Sequence, residues 1–144
     1  MTQEWIFIPM IIMVSLTFFV GLRMLKMRLQ TVRLEGLNPH YFLLNRGGKL
    51  PAKLVQVEQH YQNLFELPVL FYLLTITLFI TQQATIWQLF LAGVFVISRL
   101  WHSWIHLGSN RLLARRNAFL TGGFILLIGW LSFIISFAWQ LFTT

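Results

Sequence analysis

Two sets of polar side chains lie at helical spacing inside apolar stretches of the chain. The first set opens the second stretch with the i, i+3, i+4, i+7 pattern of one helix face: Gln59, Gln62, Asn63 and Glu66. The second set follows i, i+3, i+7 in the third stretch: Arg99, His102 and His106. The two faces are expected to meet in one shallow layer and to form either a polar ligand site or a set of interhelical hydrogen bonds.

Two charged residues, Glu66 and Arg99, lie inside the apolar stretches. A charged side chain at the centre of a membrane helix costs at least about 2.5 to 3.5 kcal/mol and is normally paired or functional. Glu66 is the only acidic residue in the apolar stretches and Arg99 the only basic one. We therefore predict a Glu66–Arg99 ion pair, because either charge alone would be costlier. A structural role for it and a role in a ligand site both stay open.

The histidines raise the question of a metal. His102 and His106 are spaced as a metal-binding pair on a helix, but the only third ligand that the sequence suggests is Glu66. We predict no metal site, and we place His40 and His60 at the membrane interface, outside the two polar sets. The absence of cysteine excludes disulfides, cysteine-ligated metal and a protein thiol nucleophile.

The elements that must position these residues are membrane helices. Of the 144 residues, 57% are hydrophobic and 10% charged, whereas a soluble domain has about 25% charged residues. We predict an all-α membrane protein, a single domain of four transmembrane helices. The spans cover about residues 5–27, 60–81, 86–108 and 116–142, each near the roughly 20 residues that cross a bilayer, with a long cytoplasmic loop over residues 28–52.

Local signals refine this plan. Residues 81–85 form a short turn, Gly47 and Gly48 interrupt helix in the long loop, and Pro68 is expected to kink the second span. Small residues recur at helical spacing on the fourth span: Gly122, Gly129, Ser132 and Ser136. They let helix backbones approach closely, either within one chain or between subunits.

Orientation follows from the basic residues. The second loop and both termini hold none. Ten lie in the first and third loops: Arg23, Lys26, Arg28, Arg33, Arg46, Lys49, Lys53, Arg111, Arg115 and Arg116. The positive-inside rule then puts both termini outside and these loops in the cytoplasm. The same clustering makes membrane lipids, and not nucleic acid, the expected partner of the net charge of +7.

In motif order, the chain resembles the MAPEG family, the membrane-associated proteins of eicosanoid and glutathione metabolism. The motifs are Asn63-x-x-Glu66-x-Pro68, then Arg99-x-x-His102-x-x-x-His106, then Arg115. The resemblance is to a divergent bacterial-type member, which implies a multi-pass protein of the bacterial inner membrane. It also implies a homotrimer of four-helix bundles that binds glutathione between subunits near the cytoplasmic face.

By the same resemblance, six residues would form the glutathione site: Asn63, Glu66, Arg99, His102, His106 and Arg115. Arg115, aided by His106, would stabilise the thiolate of glutathione as co-substrate, and Asn63 and Glu66 would orient the tripeptide. Gln59 and Gln62 stand at site positions that are basic in the enzymes, and His106 stands where a tyrosine is usual. Fewer cations weaken the attraction for the two carboxylates of glutathione.

Three functions follow. The first is a glutathione-dependent transferase or peroxidase that acts on lipophilic electrophiles from the bilayer. The second is a non-enzymatic lipid-binding or scaffold protein that uses the same intersubunit cleft, since the family includes such a member. The third, a transporter or channel subunit, requires a polar path across the membrane, and the outer halves of the spans are almost wholly apolar.

Overall fold

A computed structural model describes residues 3–44 and 49–143, and within these ranges the chain is all-helical. A 3-10 turn, Gln3–Ile6, precedes six helices: α1 (Phe7–Leu34), α2 (Tyr41–Leu44), α3 (Ala52–Asn63), α4 (Leu67–Ile80), α5 (Ile86–Leu107) and α6 (Leu112–Thr143). Arg46, Gly47 and Gly48, which the sequence assigns to the first loop, lie outside the described residues.

Three helical segments in the described ranges are long and apolar enough to cross a membrane: Gln3–Leu34, Ala52–Ile80 and Leu112–Thr143. Helix α5 has 22 residues, which span about 33 Å, so its length also suffices. Its buried polar side chains, among them Gln88, Arg99 and His102, lower its hydropathy. The fourth crossing therefore stays a prediction.

Helix α1 extends well past the predicted end of the first span. It continues to Leu34 instead of ending near residue 27, so the first part of the predicted loop is helical. Leucines, methionines and arginines are all good helix formers, and the basic side chains can reach beyond the hydrocarbon layer. Arg28 on this extension forms an ion pair with Glu58 of α3 (Nε–Oε1, 2.7 Å).

A break separates α3 from α4. Pro68 has no backbone N–H and stands in the first turn of α4, so the α-helical ladder cannot run through unbroken. Residues 64–66 instead form tight turns, with Phe65 N–H donating to Gln62 O at 2.9 Å. The predicted distortion at Pro68 is confirmed. Because α4 alone has 14 residues, about 21 Å, the end of α3 must complete this crossing.

The turn between α4 and α5 is short, as predicted. It places Gln82 in the left-handed region (φ 58°), and Thr85 caps α5 by accepting a hydrogen bond from Gln88 N–H at 3.2 Å. A side-chain oxygen at this position satisfies one of the free donors at a helix start. Helices α4 and α5 therefore leave the turn as a tight hairpin.

The core lies between α4, α5 and α6, with one face of α1 packed against it. Phe71 and Phe95 stack with ring centroids 4.6 Å apart, and Met13 and Val20 of α1 are fully buried. Gly122 and Gly129 of α6 are buried against α5 and α4. These two glycines serve packing within the chain, whereas Ser136 is exposed.

Candidate functional site

Arg99 lies in the interior, between α5 and α6, and is 1% exposed. Its Nη2 donates to the backbone oxygens of Ala118 (3.1 Å) and Phe119 (3.0 Å) on α6. The guanidinium also lies over the rings of Phe95 and Phe119, at 5.5 and 5.2 Å from their centroids. Carbonyl dipoles and aromatic faces thus solvate this charge.

The predicted Glu66–Arg99 ion pair is wrong for this chain. Glu66 is exposed at the break before α4, and the hydrogen bonds that Arg99 makes within the described ranges go to carbonyl oxygens. Among the described residues, the ion pair that forms is Arg28–Glu58. The prediction failed because it treated a carboxylate as the only available partner, whereas main-chain oxygens of α6 accept the hydrogen bonds of the guanidinium.

The first polar set points away from the bundle. Gln59, Gln62 and Glu66 are exposed and Asn63 is half-buried, because α3 turns its apolar face inward. The second set points the other way, since Arg99, His102 and His106 are all buried. The two sets therefore do not meet inside one chain, contrary to the single layer that the sequence suggested.

His60 is the residue that the sequence analysis misplaced. It is fully buried (0% exposed) and its ring lies 4.9 Å from the ring of His106 and 5.6 Å from that of His102. The prediction of an interfacial His60 is therefore wrong. The signal was present, because Val57, His60 and Leu64 follow the i, i+3, i+7 spacing of the buried face of α3.

Each imidazole of this histidine cluster (His60, His102 and His106) uses one ring nitrogen. His60 Nε2 is 2.9 Å from Ser103 Oγ, His102 Nδ1 donates to Arg115 O at 3.2 Å, and His106 Nε2 lies 3.2 Å from Arg115 Nη1. The other nitrogens, His60 Nδ1, His102 Nε2 and His106 Nδ1, are buried without a hydrogen-bond partner in the described structure. Unpaired buried nitrogens are costly.

Arg115 connects the histidine cluster to the end of the bundle. It is half-buried in the first turn of α6, and its Nη1 reaches both His106 Nε2 and Asn110 Oδ1, the latter at 2.9 Å. Asn110 adopts a left-handed backbone conformation (φ 50°) that ends the short connection between α5 and α6. Sequence reasoning missed Asn110, which carries no motif of its own.

An open groove of about 490 Å³ is lined partly by Gln56, Gln59 and Asn110, the last of which accepts a hydrogen bond from Arg115. The Gln56 side-chain amide donates to the backbone oxygen of His106, so groove and histidine cluster share a wall. Lys49 adds a positive charge to the rim. The groove thus carries amide side chains and one lysine, and Asn110 connects it to Arg115.

Apolar helices that enclose a buried cationic and imidazole layer define an integral membrane protein with a polar site at one end. The family comparison agrees: the model of the MAPEG family matches residues 6–135. The chain belongs to the MAPEG family, as the motif order indicated. Neither the search of curated proteins nor that of solved structures gave a match.

Proposed function

We propose that this protein is a glutathione-dependent transferase or peroxidase that acts on lipophilic electrophiles and stabilises the glutathione thiolate with Arg115. The observation that carries the proposal is the position of Arg115. Its Nη1 is fixed by His106 and Asn110, while the rest of its guanidinium makes no hydrogen bond within the described residues. A preorganised cation of this kind stabilises a developing anion without reorganisation.

The groove that Asn110 lines beside the histidine cluster supports the same proposal. Glutathione is a flexible tripeptide with two carboxylates and an ammonium group, so its site needs donors, cations and one acceptor. Lys49, Gln56 and Gln59 line the groove, and Glu66 is an exposed carboxylate further along the same segment. Lipophilic electrophiles would arrive through the bilayer, against which α1, α4 and α5 expose large apolar side chains.

The outward face of α3 supports a homotrimer. Gln59, Gln62 and Glu66 are exposed next to a membrane-crossing helix, where polar groups are expensive unless they are covered or reach water. A neighbouring subunit would cover them and would bring its own half-buried Arg115 close to this face. The glutathione site would then be completed between subunits, with Asn63 and Glu66 from one chain.

Calorimetric titration with glutathione on detergent-purified protein tests the proposal. We expect glutathione to bind at millimolar concentration or below. Mixing should produce the ultraviolet absorbance of the glutathione thiolate, and Arg115→Ala should lose that absorbance. Arg116→Ala is the matched control, because Arg116 is exposed and, among the described residues, hydrogen-bonds to its neighbour Asn117. The absence of binding and of thiolate signal in the wild type would refute a glutathione enzyme.

A lipid-binding, non-enzymatic protein is the second candidate, and one observation favours it. An apolar crevice of about 450 Å³ lies between α1 and α5, lined by Trp5, Ile12, Gly93 and Leu100 among others. Native mass spectrometry should then detect a retained lipid and no glutathione. Turnover of 1-chloro-2,4-dinitrobenzene by the purified protein would exclude this function as the sole one.

A further inference from the structure

We infer that the histidine cluster of His60, His102 and His106 is a binding site for a borderline divalent cation, with Zn²⁺ as the best fit. The three side chains are 0%, 3% and 0% exposed. Each offers a ring nitrogen, and these three nitrogens lie within 4.8 Å of one another. The inference concerns the interior of a single chain and does not depend on glutathione.

Distances support a common ion. Three atoms no more than 4.8 Å apart can share a point about 2.8 Å from each, and Zn–N bonds are about 2.0–2.1 Å. Side-chain movements that shift each nitrogen by less than about 1 Å would shorten these distances to the length of a Zn–N bond. Three imidazoles arranged tetrahedrally around one ion would hold their ring centres about 5 Å apart, and the observed separations are 4.9, 5.6 and 5.6 Å.

The hydrogen bonds of two rings already suit metal binding. His102 donates through Nδ1 to the backbone oxygen of Arg115, which leaves the lone pair on Nε2. His60 can donate through Nε2 to Ser103 Oγ, which leaves the lone pair on Nδ1. Metal-ligating histidines normally donate their second nitrogen in this way, and both free nitrogens are among the unpartnered buried atoms.

His106 can bind a metal only if its contact with Arg115 is broken. Arg115 cannot accept a hydrogen bond, so its contact with His106 Nε2 requires the proton of that ring on Nδ1. A metal bound through Nδ1 moves the proton to Nε2 and expels the guanidinium, and a metal bound through Nε2 displaces it directly. Zn²⁺ binding and the Arg115–His106 contact therefore exclude each other.

Chemistry narrows the identity of the cation. An all-nitrogen donor set suits Zn²⁺ and Cu²⁺ and not the oxygen-seeking Mg²⁺ or Ca²⁺. Three protein ligands leave a fourth position open. The neighbouring cations Arg99 and Arg115 favour an anion there, such as hydroxide or chloride, which offsets the charge of the metal.

Metal loading of the intact protein is the test. Protein purified without a polyhistidine tag is stripped with EDTA, reloaded with ZnCl₂ and assayed by elemental analysis. We expect one tightly held Zn²⁺ per chain, no Mg²⁺, and the visible absorption of tetrahedral Co²⁺ after cobalt substitution. His40→Asn is the matched control, since His40 is exposed and lies outside the cluster.

Variants separate a built site from an adventitious one. His60→Asn, His102→Asn and His106→Asn should each weaken Zn²⁺ binding by more than the about 10–100-fold expected for the outer-shell variant Ser103→Ala. Arg115→Ala should instead tighten it, a gain that misfolding cannot imitate. Substoichiometric Zn²⁺ in the wild type, equal loss in His40→Asn, or no tightening in Arg115→Ala would overturn the inference.

Discussion

Arg99 shows how a charge can be held in an apolar bundle without an acidic partner. Its two carbonyl acceptors belong to consecutive residues of α6, Ala118 and Phe119. That approach is possible because Gly122, one turn further along, has no side chain. A Cβ there would lie 2.8 Å from Arg99 Nε and from Ser98 Oγ. Glycine at residue 122 and arginine at residue 99 are thus one packing unit.

Gly122→Ala should therefore destabilise the protein. The added methyl group must displace the buried guanidinium, and overpacking of this kind costs about 1–3 kcal/mol. Thermal unfolding in detergent, followed by circular dichroism, should show a lower midpoint. Gly93→Ala is the control, because a Cβ at residue 93 meets nothing within 4 Å. Equal melting of the two variants would contradict this account of Arg99.

At the residue scale, sequence reasoning located the polar groups but not their directions. Periodicity correctly put Arg99, His102 and His106 on one face, yet it could not tell that carbonyl oxygens would solvate Arg99. It also overlooked His60, because that residue was assigned to the membrane interface for its polarity, although its position in the helical repeat places it on the apolar face of α3. Directions depend on how helices rotate against each other, and the spacing of the polar residues alone does not show that rotation.

At the element scale, individual residues at the helix ends determine where the helices stop and start. Pro68 ends the ladder between α3 and α4, and Thr85 starts α5. The start of α5 matters for the site, because this helix carries Arg99 and two histidines of the cluster. The cap satisfies a backbone donor that would otherwise lack a partner at the start of this helix.

Thr85→Ala should lower stability by about 1 kcal/mol, the usual effect of removing an N-cap. Thr85→Ser keeps the hydroxyl that accepts from Gln88 N–H and should remain close to the wild type. Chemical or thermal denaturation of the three proteins in one detergent measures this. If Thr85→Ala and Thr85→Ser melt together, the cap contributes nothing.

Most of the helical plan could be predicted from the sequence, but α2, the first turns of α3 and the end of α1 were not. The stretches around α4, α5 and α6 followed from hydropathy and turn signals, since membrane helices are long and apolar. The end of α1 did not, because its last turns carry basic residues and look like a loop. Packing against α3, with the Arg28–Glu58 ion pair, keeps this extension helical.

At the scale of the whole molecule, three exposed tryptophans lie at one end of the bundle. Trp5, Trp87 and Trp139 are 53%, 51% and 72% exposed, as expected of aromatic side chains at a membrane interface. All three belong to the end of the bundle that lacks the basic residues. The proposed topology, four crossings with both termini outside, accounts for this arrangement.

Cysteine labelling in intact cells tests that topology, and the cysteine-free chain gives a clean background. A membrane-impermeant maleimide should label Glu4→Cys and Thr143→Cys, and should spare Lys53→Cys and Ser109→Cys until the cells are lysed. With three crossings the two termini would lie on opposite sides. Labelling of only one terminal variant would therefore reject the fourth crossing by α5.

The interruption at residues 64–66 has a mechanical consequence. Since the regular ladder stops there, no continuous helix couples the orientation of α3 to that of α4. Adjacent positions of α3 face opposite ways, with Gln59 outward and His60 inward. A neighbour that packs on the outer surface of α3 would therefore contact the same short helix that holds His60 in the histidine cluster.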